Sequence, residues 1–167
     1  MEEPRETGQK TQAAHSSLAR AALSGAREAA RALERACRSS EARDDRQSLY
    51  LESVADLARD LGDDLDSLAQ SPGSPSSATL VSAALRSADL ATLAACALPE
   101  LPPHSPEYHR VAAAAHTASG AARSLALEHR ALGANNGEDY AAHDLRGAEW
   151  RASLAARQTG EALQTED

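Results

Sequence analysis

Residues 106–132 read PEYHRVAAAAHTASGAARSLALEHRAL. Tyr108, Val111, Ala115, Ala118, Ala122, Leu125, His129 and Leu132 recur in alternating steps of three and four, the spacing that lines one side of an α-helix and builds a heptad seam. The flanks agree. Ser105 is a good N-cap, Pro106 suits the first helical position because its missing N–H costs nothing there, and Glu107 favours the positive end of the helix. Gly133 stops the helix. The seam is mostly alanine, the best helix former and a poor strand former.

The rest of the chain repeats this chemistry. Ile and Phe are absent, and Val54, Val81 and Val111 are the only valines. Hydrophobic residues are 42% of the chain and aromatics 2%, so Ala and Leu must supply the core. A sheet has few β-branched residues to draw on. The expectation is an all-α fold, an antiparallel bundle of four to five Ala/Leu-rich helices. The 167 residues fit one domain and can bury a core without disulfide or metal staples.

Downstream of Gly133, Asn135 or Asn136 can cap a helix from about Glu138 to Gln164. Its seam is Ala141, Leu145, Ala148, Ala152, Ala155, Thr159 and Ala162. The loop before it is short, which predicts an antiparallel hairpin held close by facing alanines. Upstream, PELPPHSP (99–106) separates the seam from an almost wholly apolar helix over Ala78–Leu98. Such a helix is usually buried on several sides, and its Arg86 and Asp89 are spaced to pair along it. SPGSPSS (71–77) divides that helix from one running from Glu41 or Asp44 to Gln70, with Tyr50, Val54, Leu57, Leu61, Leu65 and Leu68 expected inward. Glu52, Asp56, Asp60, Asp63 and Asp64 lie on its other side. The first helix is expected over Gln12–Arg38, with Leu18, Ala22, Ala26, Ala29, Leu33 and Ala36 inward. Residues 1–11, polar and interrupted by Pro4 and Gly8, read as a disordered tail, leaving 12–165 as a single bundle domain.

Net charge is −8 and the pI about 5.2, against the basic footprint of a nucleic-acid binder. The polar N-terminus is no signal peptide, and the apolar helix carries two central charges that make it a costly membrane span. A soluble, cytoplasmic protein with no membrane and no nucleic-acid partner is expected. Cys37 and Cys96 lack metal-ligand spacing and read as small core residues.

Four features bear on function. Arg20, Arg27, Arg31, Arg35 and Arg38 form a stripe on the first helix that can serve as an anion- or partner-binding face. His143, Gly147, Trp150 and Leu154 occupy the side of the last helix away from its seam, and large apolar groups there predict a second buried surface. That surface lies either against another helix, such as the first, or at a partner interface, where Trp is enriched. Asp139 and His143, four apart, are the weak candidates for a metal site, although the Glu-x-x-His motif of di-iron bundles is missing. His129 interrupts an apolar seam and is expected to be a buried polar residue that sets helix register.

No nucleophile elbow, phosphate loop or dinucleotide motif is found, and no cofactor is implied. The sequence therefore predicts a non-catalytic bundle that works by association, with a protein partner or as a homo-oligomer. The alternatives are a ferritin-like metal-binding bundle and a bundle that holds a small ligand near His129 and Tyr108 or Tyr140.

Overall fold

The computed structural model describes residues 3–132 and 139–164. It is all-α: α1 (Glu3–Ser39), α2 (Asp45–Ala69), α3 (Ser77–Ala97), α4 (Pro106–Ala131) and α5 (Asp139–Gln164), with a single 3-10 turn (Leu98–Glu100) after α3. The breaks are where the caps predict. Asp44, Ser76 and Ser105 each accept a backbone N–H three residues on, satisfying donors that the first helical turn leaves open.

Helices α1 to α4 form a ring in which each packs on the next and α4 closes on α1, while α5 lies in the groove between α3 and α4. Consecutive helices run antiparallel: Arg27 and Arg38 of α1 meet Asp66 and Asp56 of α2, and Arg130 and His116 of α4 meet Glu149 and Thr159 of α5. The interior is shared by α3 and α4. Three stripes of α4 are buried: the expected seam from Val111 to His129, then Ala112, Ser119 and Ala126, then Ala114, Ala121 and Glu128. At the ends of that seam Tyr108 is half-buried and Leu132 is exposed, because the bundle does not extend over them. The expected alanine contact between α4 and α5 is present, where Ala122, Ala148 and Ala152 cluster with Ala88 of α3. Together with its 3-10 turn, α3 is long and apolar enough to cross a membrane by length and composition, and half of its apolar window is buried inside the bundle.

Several sequence expectations need correcting. Of the expected tail, residues 1–11, the described part is helical, because α1 begins at Glu3. Pro4 stands in the first turn, where it is tolerated. Gly8 to Thr11, Ala13 and Ala14 are exposed, so this extension rests on local propensity rather than packing. In α1 the inward face turns from Leu18 to Ala19 and Leu23. In α2 it turns from Tyr50 and Leu57 to Leu51, Ala55, Ala58 and Gly62. Small residues win that position because they let the backbones of α1 and α2 approach: a Cβ on Gly62 would lie 3.2 Å from the Cβ of Ala30. Arg86 and Asp89 do not pair with each other. Arg86 reaches Asp64 of α2 at 3.1 Å and Asp89 accepts from Arg151 of α5 at 2.8 Å, tying α3 to two neighbours. Cys37 is buried, as expected, but Cys96 is exposed.

One polar group stands out inside. Ser119 is buried, and among the described residues its Oγ is the one buried side-chain oxygen or nitrogen without a hydrogen-bond partner. An unsatisfied buried hydroxyl is costly, and Ala is the better helix former. Ser119→Ala is expected to raise stability by ~1 kcal/mol, read as a higher urea midpoint with an unchanged slope.

Candidate functional site

The seam of α5 decides what its other side does. Leu145, Ala148, Ala152, Ala155 and Thr159 are buried against α3 and α4. His143, Gly147, Trp150 and Leu154 fall on the opposite side by helical geometry, and all four are exposed, Trp150 by 68%. Among the described residues no helix covers this surface, and α1 packs on α2, α4 and α3. A Cβ on Gly147 would meet nothing.

The surface continues onto α4. His116, Gly120, Arg123, Leu127 and Arg130 recur in steps of four and three and are all exposed. The two ends of this stripe are fixed to α5: His116 lies against Thr159 and Gly160, and Arg130 donates to Glu149. Arg123 and Leu127 are therefore held between those anchors, beside the outer face of α5. Leu127 is 58% exposed. The neighbouring outer stripes thus expose Trp150 and Leu154 on α5 and Leu127 on α4, with exposed Arg146 and Arg157 on the first and Arg123 on the second. Among the described residues these three arginines make no ion pair, so an acidic chain presents here a locally cationic surface. Sequence reading found the α5 half of the patch. It missed Leu127 and Arg123, because they sit outside the α4 seam and only the α4–α5 register brings them to Trp150.

The arginine stripe of α1 behaves differently. Arg27 and Arg31 both donate to Asp66, at 2.5 and 2.7 Å, Arg38 to Glu34 and Asp56, and Arg20 to the carbonyl of Gly73. Among the described residues Arg20 and Arg35 are the members of the stripe without an ion pair, and Arg20 is held by the Gly73 carbonyl. The stripe is largely occupied by α2. Hydrogen bonding from Arg27, supported by Arg31, holds the Asp66 carboxyl below the ordinary aspartate value of 3.8, and Arg38 does the same for Asp56. A depressed folded-state pKa gives stability that is full above the unfolded value and is lost as pH falls through the folded one. The melting temperature should therefore be flat down to about pH 4 and fall below it. Asp66→Asn should remove part of that acid-side fall. An unchanged pH profile in the variant would contradict the assignment.

The remaining candidates are scattered. His129 is buried, as expected. Its neighbour Glu128 is buried as well and pairs with His15 of α1 at 2.8 Å, a contact across 113 residues with no local signature. Beside it lies a small, partly open cleft of about 30 Å³ lined by His15, Ala19, Leu80, Glu128 and Leu132, room for a few waters at most. Tyr108 is far from it, 21 residues along α4 from His129 or ~30 Å of helix, so the two cannot share a pocket. Tyr108 instead faces an open groove of about 570 Å³ with Cys96, Leu98, Leu101 and Thr159. The side chains of Asp139 and Tyr140 lie outside the described residues. Among the described residues no three His, Cys, Asp or Glu side chains stand together to hold a metal, and His143 is outside the bundle rather than in it. Burial pushes the Cys37 thiol up to about 11, which leaves it protonated and unreactive at neutral pH.

No known protein family, curated protein or solved structure matches the chain.

Proposed function

We propose that this is a non-catalytic association protein that docks a protein partner, or further copies of itself, through the outer face of α5 and the adjoining stripe of α4. The observation that carries the reading is Trp150, the sole Trp of the chain and 68% exposed beside exposed Leu127 and Leu154. A Trp with neighbouring apolar groups and unpaired arginines has the composition of an interface anchor. Its two free cysteines suit the reducing cytoplasm. In extracts of cells that make it, the wild-type chain is expected in a complex heavier than its own 17.5 kDa. Trp150→Ser with Leu154→Ser, folded to the same melting temperature, should run alone. Identical elution of the two proteins would reject the reading.

The groove below Tyr108 favours a second reading, a small apolar ligand, because its volume lies within the range of small-molecule sites. An apolar fluorescent probe should then bind, and a bulky label on Cys96 should displace it.

A further inference from the structure

The outer face of α5 is cationic as well as apolar. At ~100° per residue, Arg146, Trp150, Leu154 and Arg157 fall within ~80° of one another, opposite the buried seam, and all four are exposed. The two arginines stand 11 residues apart, ~16 Å along the helix. Exposed Arg123 and Leu127, four apart, belong to the neighbouring stripe of α4. The two helices are antiparallel, with Arg130 against Glu149 and His116 against Thr159. That register sets Leu127 about level with Trp150 and Arg123 about level with Leu154. The furrow between α4 and α5 is thus bordered by three large apolar groups and three arginines.

The charges of these arginines are unpaired among the described residues. The nearby carboxylates are engaged or placed elsewhere: Glu149 is taken by Arg130, Glu128 is buried against His15, and Asp144 is exposed but lies ~120° round α5 from Trp150. Glu161 follows one turn beyond Arg157. The chain as a whole is acidic, with a net charge of −8. Charges more than ~10 Å away are screened at moderate salt, so a ligand confined to this furrow meets the arginines first. A membrane or a nucleic acid extends past the furrow and meets the acidic remainder as well. The surface therefore favours a compact acidic partner. Trp and Arg are the residues enriched at protein hot spots, and a guanidinium can give a carboxylate two parallel hydrogen bonds.

We propose that the occupant of this face is an acidic amphipathic helix of a partner protein, laid along the furrow between α4 and α5. The proposal rests on the reading of that face as a docking surface and adds the chemistry of its partner. Such a helix presents a ridge of apolar side chains at steps of three and four, which covers Leu127, Trp150 and Leu154. Carboxylates about three turns apart on it reach Arg146 and Arg157, and one on its flank reaches Arg123. A basic helix with the same apolar ridge brings like charges onto the three guanidiniums, which selects against it.

Trp150 is the sole Trp, so the intrinsic fluorescence of the purified full chain reports this face alone. The probes are two helix-forming peptides of about 18 residues, long enough to hold a helix in water. Both carry leucines at steps of three and four, flanked in one by glutamates and in the other by lysines. The glutamate peptide is expected to shift the Trp150 emission to the blue and to bind ~10-fold or more tighter than the lysine peptide, with the difference shrinking in high salt. Arg146→Glu with Arg157→Glu should invert the preference, and an unchanged melting temperature establishes that the variant is folded. Equal binding of the two peptides, binding of neither up to ~1 mM, or a variant that still prefers glutamate overturns the proposal. So does an emission shift on phosphatidylserine vesicles without one on the peptides, which assigns the face to a membrane. A shift that grows with protein concentration alone also overturns it and assigns the face to a second copy. In each of these cases the complex in cell extracts still tests the docking reading separately.

Discussion

Leu33→Ala is expected to destabilise the protein by about 4 kcal/mol, toward the upper end for a buried leucine truncation. Leu33 is fully buried, and the cluster around it consists largely of alanine: Ala29, Ala30, Ala36, Ala55, Ala58, Ala115 and Ala118 belong to it. The cost of a core truncation grows with the volume that stays empty, and relaxation normally limits that volume. Relaxation by rotamer change is limited here, because most of the cluster is alanine, which has no side-chain rotamers. The void closes mainly by movement of whole helices, and the ion pairs of Asp66 and Asp56 with α1 oppose movement of α2. Chemical denaturation measures the loss directly. A cost below ~2 kcal/mol would mean that the helices slide easily and that the core is less rigid than its packing indicates.

The second large effect is at Gly62. Glycine inside a helix costs up to ~1 kcal/mol relative to alanine, so its presence in α2 needs a reason, and the reason is the 3.2 Å that a Cβ there would leave to Ala30. Both positions belong to helix backbones, so neither group can swing away. Gly62→Leu must separate α1 from α2 and is expected to cost about 3 kcal/mol. Gly62→Ala adds one carbon, and its gain in helix propensity should nearly offset a shift of a few tenths of an ångström. A leucine variant as stable as wild type would show that α1 and α2 are not in close contact at this point.

These two sites show how much of the molecule was legible in its sequence. The five helices and the breaks between them followed from period, caps and the Pro/Gly signals, because these are local, while their arrangement around the bundle did not. The α5 seam was right residue for residue from Leu145 to Thr159, since it meets a single groove. The inward face of α2 was not, because hydropathy favours Leu57 while close packing favours Ala58 and Gly62. In an alanine-built core, size decides which side of a helix faces in, and size preferences depend on the partner helix. The same holds for charge. The stripe from Arg20 to Arg38 was visible on the helical wheel, but its occupation by Asp66 and Asp56 depends on how α2 lies against it.

The candidate site was half legible for a related reason. Trp150 and Leu154 announce themselves as large residues on the wrong side of a seam. Leu127 and Arg123 became part of the same surface only when Arg130 met Glu149 and His116 met Thr159. The pairing of His15 with Glu128 was beyond reach of pattern, since nothing in either local sequence points to the other.

The central claim is that the Trp150 face is covered by protein in the cell. The most direct measurement is site-specific photo-crosslinking in living cells, with a photoreactive side chain placed at position 150, at 154, or at the exposed control Arg43 between α1 and α2. The account predicts one defined adduct from positions 150 and 154 and none from 43, with a mass of two chains if the partner is a second copy. No adduct from 150 and 154, or the same smear from all three positions, would contradict it.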